Sequence, residues 1–85
     1  MEEKSRRIGV VSIIVYKRKE SAMKVNEIVT GYGDCIIGRI GIPYEPKGIS
    51  IIALIIHGTT DEIGALTGKL GSLPDVEVKS VLTKA

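Results

Sequence analysis

The chain has no tryptophan and no phenylalanine, and among its 85 residues it carries one cysteine, Cys35, and one histidine, His57. A lone cysteine cannot close a disulfide within the chain, and it excludes a zinc site made of several cysteines. A lone histidine needs partners of ligating or acid–base type to do chemistry, and none stands near it in sequence, so a structural role is expected. The aromatic residues are Tyr16, Tyr32 and Tyr44 alone, too few for a platform on which single-stranded bases stack. Charge is nearly balanced, with 12 Lys+Arg against 10 Asp+Glu and a net +2, which is not the signature of a nucleic-acid binder. No apolar run approaches the roughly 20 residues a membrane helix needs. The charged start "MEEKSRR" is not followed by a signal-peptide pattern, so a cytoplasmic location is expected.

The length allows one domain, expected over 1–85 with an ordered core at about 7–83. A domain of this size buries only about 60–65% of its unfolded surface, so a deep private cleft is not expected from one copy. "RIGVVSIIVY" (Arg7–Tyr16) is rich in β-branched residues and reads as a strand. From Glu20, apolar residues at Ala22, Val25, Ile28, Val29 and Tyr32 form one helical stripe, and Gly31 and Gly33 supply its stop. "DCIIGRIGI" (Asp34–Ile42) is a second strand, "PYEPKG" a loop, and "ISIIALIIH" (Ile49–His57) a third strand, the two pairing as a hairpin. Thr59 or Thr60 can cap a second helix, whose buried face carries Ile63, Leu66, Thr67 and Leu70 and which Gly71 and Pro74 end. "VEVKSVL" (Val76–Leu82) alternates and is the fourth strand. The order β-α-β-β-α-β predicts an α+β, ferredoxin-like sandwich, with two helices on one face of a four-stranded antiparallel sheet.

Two helices cover one face only, and the other must meet water or another molecule. Polar residues serve as markers of the uncovered side. Ser12, Arg39, Ser50, Glu77 and Lys79 are expected to point away from the helices. The two-residue period then adds Ile8, Val10, Ile14, Tyr16, Cys35, Ile37, Ile52, Leu54 and Ile56, and leaves His57 on the helix side. An apolar patch of this size marks an interface. Val10, Ser12, Ile14, Ile37, Ile52, Leu54 and Ile56 are the interface candidates, and the expected occupant is another copy of the chain, as a dimer or tetramer.

No motif carries chemistry. In "GYGDCIIG" the glycines lie between a helix and a strand, the reverse of a phosphate-binding fingerprint. Gly64 and Gly68 are spaced for close packing. Cys35 is expected to pack rather than react. "YKRKES" sets three cations before a helix and could hold an anion, although a solvated charge cluster is the plainer reading. Neither a metal nor a cofactor is expected.

Taken whole, "VVSIIVYKRKESAMKVNEIVTGYGDCIIGRIGIPYE" with "GISIIALIIHGTTDEIGALTGKLGSLPDVEVKSV" resembles the small ACT-like family of iron-only hydrogenase system regulators, over residues 7–83. "TDEIGALTGKLGSLPDVEVKSV" is the most telling stretch. The resemblance implies a non-enzymatic regulatory or sensing module tied to hydrogenase expression or maturation. The layout is also similar to the C-terminal domain of the nickel-responsive repressor. The positions of that domain's nickel ligands fall near Thr30, Gly41, Pro43 and Ile49, which cannot replace them. About seven residues precede the first strand, too few for the repressor's DNA-binding module, so action through a partner protein is expected. ACT domains bind amino acids beside a glycine-containing loop after the first strand. That loop here is "YKRKES", without the glycine, and a different, anionic effector is expected at Tyr16, Lys17, Arg18 and Arg39. The alternatives are an acylphosphatase-like hydrolase of the same fold, or an adaptor with no small ligand.

Overall fold

The computed structural model describes residues 6–16 and 18–83, without the side chains of residues 18–20. The elements are β1 (Arg6–Val15), α1 (Arg18–Gly31), β2 (Ile36–Tyr44), β3 (Ile49–Thr59), α2 (Thr60–Gly71) and β4 (Val76–Leu82), with short 3-10 turns at Gly33–Cys35 and Glu45–Lys47. The strands form one sheet in the order β2-β3-β1-β4, and every neighbouring pair is antiparallel. This is the ferredoxin-like βαββαβ arrangement, two split βαβ units with β1 and β3 at the centre. The β2–β3 connection turns at Gly48, whose φ of 65° suits a residue without a Cβ.

The core lies between the sheet and the two helices. Val11, Ile13 and Val15 of β1 and Ile52, Leu54 and Ile56 of β3 pack with Val25 and Val29 of α1 and Ile63, Leu66 and Leu70 of α2. The α1 stripe is the one its spacing predicts. Ser21, also buried on α1, donates through its hydroxyl to the Pro74 carbonyl at 3.2 Å. At its start α2 carries a reciprocal cap: Thr59 Oγ1 accepts from the Glu62 backbone N–H, and the Glu62 carboxylate accepts from the Thr59 N–H. This satisfies two of the donors that a helix start leaves free.

On β1 and β4 the faces are as the alternation predicts. On β3 they are reversed. Ile52, Leu54 and Ile56 stand opposite Ile13, Val11 and Gly9, and all three are buried under the helices. The residues of β3 on the open face are Ile51, Ala53, Ile55 and His57, opposite Ile14, Ser12, Val10 and Ile8. Arg39 and Ser50 mark the wrong side because they too face the helix side, where the helices leave the edge of the sheet bare. Arg39 stands opposite Leu54 and Ser50 opposite Val15, yet β2 is exposed at every residue from Arg39 to Tyr44. Cys35 is also buried rather than outward, in the 3-10 turn before β2. Ile37 falls at a register break between Ile36 and Gly38, where β2 carries an extra residue.

Candidate functional site

Two features remain once the core is accounted for. The first is the open face of the sheet. Val10 and Ile55 stand opposite each other in its centre, 44% and 39% exposed, with Ile8 and Ile14 above and below. Ile40 and Ile42 of β2 extend the apolar surface at one edge, opposite Ala53 and Ile51, and Val81 of β4 extends it at the other. Polar relief comes from Ser12, His57, Glu77 and Lys79. Of the interface candidates, Val10, Ser12 and Ile14 lie on this face. Ile52, Leu54 and Ile56 do not, and Ile40, Ile42, Ile51, Ile55 and Val81 take their place. Ile37 is 61% exposed at the bulge.

Tyr16 sits at one end of this face. Its hydroxyl donates to Glu77 Oε1 at 2.7 Å, and its backbone N–H donates to the Asp75 carbonyl at 2.8 Å. The hydrogen bond to Glu77 and that carboxylate's charge both favour the neutral phenol and raise its pKa. Lys17 and the side chain of Arg18 lie outside the described residues.

Arg39 is not beside Tyr16. It lies at the far edge of the sheet and on the other face, where its guanidinium Nη2 donates to Asn26 Oδ1 at 2.9 Å. That contact closes one end of the second feature, a slot of about 170 Å³ between α1 and the bare helix side of β2. Val15 and Ile52 form its apolar floor, and Gly41 and Ser50 lie along it. A Cβ added to Gly41 would meet nothing within 4 Å, so the glycine leaves the slot open. Asn26 carries no sequence signal, being one exposed polar residue on a helix. The clue available in sequence was the small residues Gly41 and Pro43, at alternate positions of an edge strand beside an arginine.

Cys35 and His57 lie on opposite faces. Burial, then the Glu62 charge and hydrogen bond, push the Cys35 thiol pKa up, against the thiolate a nucleophile needs. His57 is exposed on the open face, and its carbonyl accepts from Arg6 Nη2 at 2.9 Å. Arg6 also reaches Glu62 at 3.4 Å. Among the described residues no three metal-ligating side chains come together, and no helix is long and apolar enough to cross a membrane.

Fold and site together define a small ferredoxin-like domain with one apolar sheet face uncovered and no assembled catalytic group among the described residues. The chain matches the family model TM1266-like, described as "Iron-only hydrogenase system regulator, putative", over residues 7–80, and it belongs to that family. It is similar to the solved structure of the uncharacterized protein TM1266 from Thermotoga maritima, at 35% identity and a TM-score of 0.90, covering 94% of this chain and 100% of that one. The C-terminal domain of the MgtC protein from Mycobacterium tuberculosis shares the fold, with 16% identity, a TM-score of 0.67 and coverage of 99% and 95%. So does the de novo designed protein Foldit4, with 14% identity, a TM-score of 0.59 and coverage of 95% and 99%. No curated protein matches the chain.

Proposed function

We propose that the chain is a non-enzymatic regulatory module of the iron-only hydrogenase system, acting in the cytoplasm through a partner protein. In this reading it pairs sheet to sheet with a second copy, as a dimer or a tetramer built from such dimers. A small effector bound near the β1–α1 connection favours one arrangement over another. The family supports the hydrogenase link. The observation that carries the assembly is the open face centred on Val10 and Ile55, apolar from Ile40 at one edge to Val81 at the other. Ile40 is 64% exposed and Val81 70%, which water tolerates poorly over a contiguous surface. Each large aliphatic side chain taken fully out of water contributes about 1.5–3 kcal/mol, and a twofold pair doubles the set. Glu77 and Lys79 alternate outward on β4, so a twofold arrangement can set acid against base across the contact.

Light scattering at micromolar concentration tests the assembly. The expected mass is at least twice 9.1 kDa, and Ile55→Glu is expected to give a folded single chain. A wild-type chain that is folded and monomeric overturns the assembly. Deleting the gene in its host and assaying hydrogenase activity tests the link, and unchanged activity would overturn it.

A further inference from the structure

The slot between α1 and β2 has the composition of a ligand site, and it lies within one chain. We infer that it binds a short-chain monocarboxylate, with Arg39 holding the carboxylate and the alkyl chain lying against Ala22, Pro43 and the edge of Ile52. The inference rests on the effector half of the function proposed above and names the effector's class and place.

Arg39 is the one ionisable side chain among the described residues lining the slot. A guanidinium has five N–H donors, and among the described residues one hydrogen bond, from Nη2 to Asn26 Oδ1 at 2.9 Å, engages it here. That bond fixes the fork at the slot's end and leaves donors for the two oxygens of a carboxylate. Holding Arg39 through its oxygen, Asn26 keeps its NH₂ as a further donor, and Ser50 also lines the slot. The accessible lining beside Arg39 is apolar: Ala22 is half-buried, Pro43 is exposed, and Ile52 shows an edge above the fully buried Val15. A phosphate would satisfy the guanidinium but leave this apolar lining wet, so an anion with a hydrocarbon tail fits better. No carboxylate lines the slot to receive an ammonium group, which disfavours a free amino acid. Glu27, on the neighbouring stretch of α1, opposes a second negative charge. A volume of about 170 Å³ corresponds to about six waters at ~30 Å³ each, the size of a chain of four or five carbons. In sequence, Lys17 and Arg18 fall between the lining residues Val15 and Ala22, so the slot adjoins the first strand-to-helix connection.

Backbone-amide NMR titration with butyrate, 2-aminobutyrate and inorganic phosphate tests this. Butyrate is expected to move the signals of Asn26, Gly41 and Ser50 saturably, and the zwitterionic 2-aminobutyrate and inorganic phosphate are expected to move them weakly. Arg39→Gln removes the charged hydrogen bonds and is expected to weaken butyrate about 10- to 100-fold. Gly41→Val fills the slot, since its Cβ enters open space, and is expected to abolish the response with the melting temperature kept. Phosphate matching butyrate, an Arg39→Gln response equal to wild type, or no saturable shift overturns the inference. Repeating the titration on Ile55→Glu separates the two readings. Butyrate shifts in a wild-type chain that is monomeric sink the sheet pairing alone, and absence of the shifts in both proteins, with the wild type dimeric, sinks the slot alone.

Discussion

The Tyr16 hydroxyl donates to the Glu77 carboxylate over 2.7 Å and so ties the end of β1 to β4 across the open face. The bond requires the phenol proton, and the nearby negative charge opposes a phenolate, so the pKa stands above its ordinary 10.0. A pKa raised on folding contributes stability that is fully present below the unfolded value and is lost as pH rises through the folded one. Glu77→Gln removes the charge and keeps an acceptor. Tyr16 is then expected to titrate at lower pH than in wild type, though not at its unperturbed value. Phenolate absorbance, read against a Tyr16→Phe control, measures this, and an unchanged alkaline titration in Glu77→Gln would refute it.

The cap of α2 supplies the opposite pH dependence. The Thr59 backbone N–H donates to Glu62 Oε1 at 2.8 Å and is the main cause that lowers the Glu62 pKa. The Thr59 hydroxyl and the Arg6 charge add to it, while burial works the other way. A depressed carboxylate pKa contributes stability above the unfolded value, here the ordinary 4.5, and that contribution is lost as pH falls through the folded value. Thr59→Ala is expected to cost about 1 kcal/mol at neutral pH. In a domain of this size that lowers the melting temperature by roughly 4–8 °C. Glu62→Gln is expected to destabilise at neutral pH and to converge on wild type in acid. Urea unfolding at the two pH values checks both variants, and a constant gap between Glu62→Gln and wild type across the acid range would contradict the assignment.

The fold was legible in the sequence because each element carries its own period. Val76, Val78 and Leu82 alternate with Glu77, Lys79 and Val81, and three polar positions, Ser12, Glu77 and Lys79, are enough to orient β1 and β4. The stripe through Val25 and Val29 and the cap at Thr59 likewise identify the helices without reference to the rest of the chain. β3 has no such signal. From Ile51 to Ile56 both faces are apolar, since one packs on the helices and the other fills the centre of the open face. Its orientation therefore fell to Ser50 and to Arg39 across the hairpin. Both are polar for a different reason, the bare strip beside α1 that becomes the slot. That Arg39 and Leu54 share a side was readable from the alternation, and which side it is was not. The Asn26–Arg39 contact joins a helix to an edge strand and depends on that side, so no local pattern announces it.

The register of β3 can be tested by two neighbouring truncations. Leu54 has no exposed surface, stands opposite Val11 and belongs to the core, whereas Ile55 is 39% exposed on the open face. Leu54→Ala leaves a cavity under the helices and is expected to cost about 2–5 kcal/mol. Ile55→Ala opens no cavity in the single chain, and its cost there is expected to be about 1 kcal/mol or less. If the open face pairs with a second copy, the Ile55→Ala deficit grows with protein concentration, because association stabilises only the folded chain by mass action. The Leu54→Ala deficit has no such dependence. Urea denaturation of both variants at a low and a high protein concentration separates the two contributions. The opposite ranking at low concentration, with Ile55 the costlier loss, would mean that β3 turns Ile55 and His57 toward the helices and that the apolar surface described here belongs to the other side of the strand.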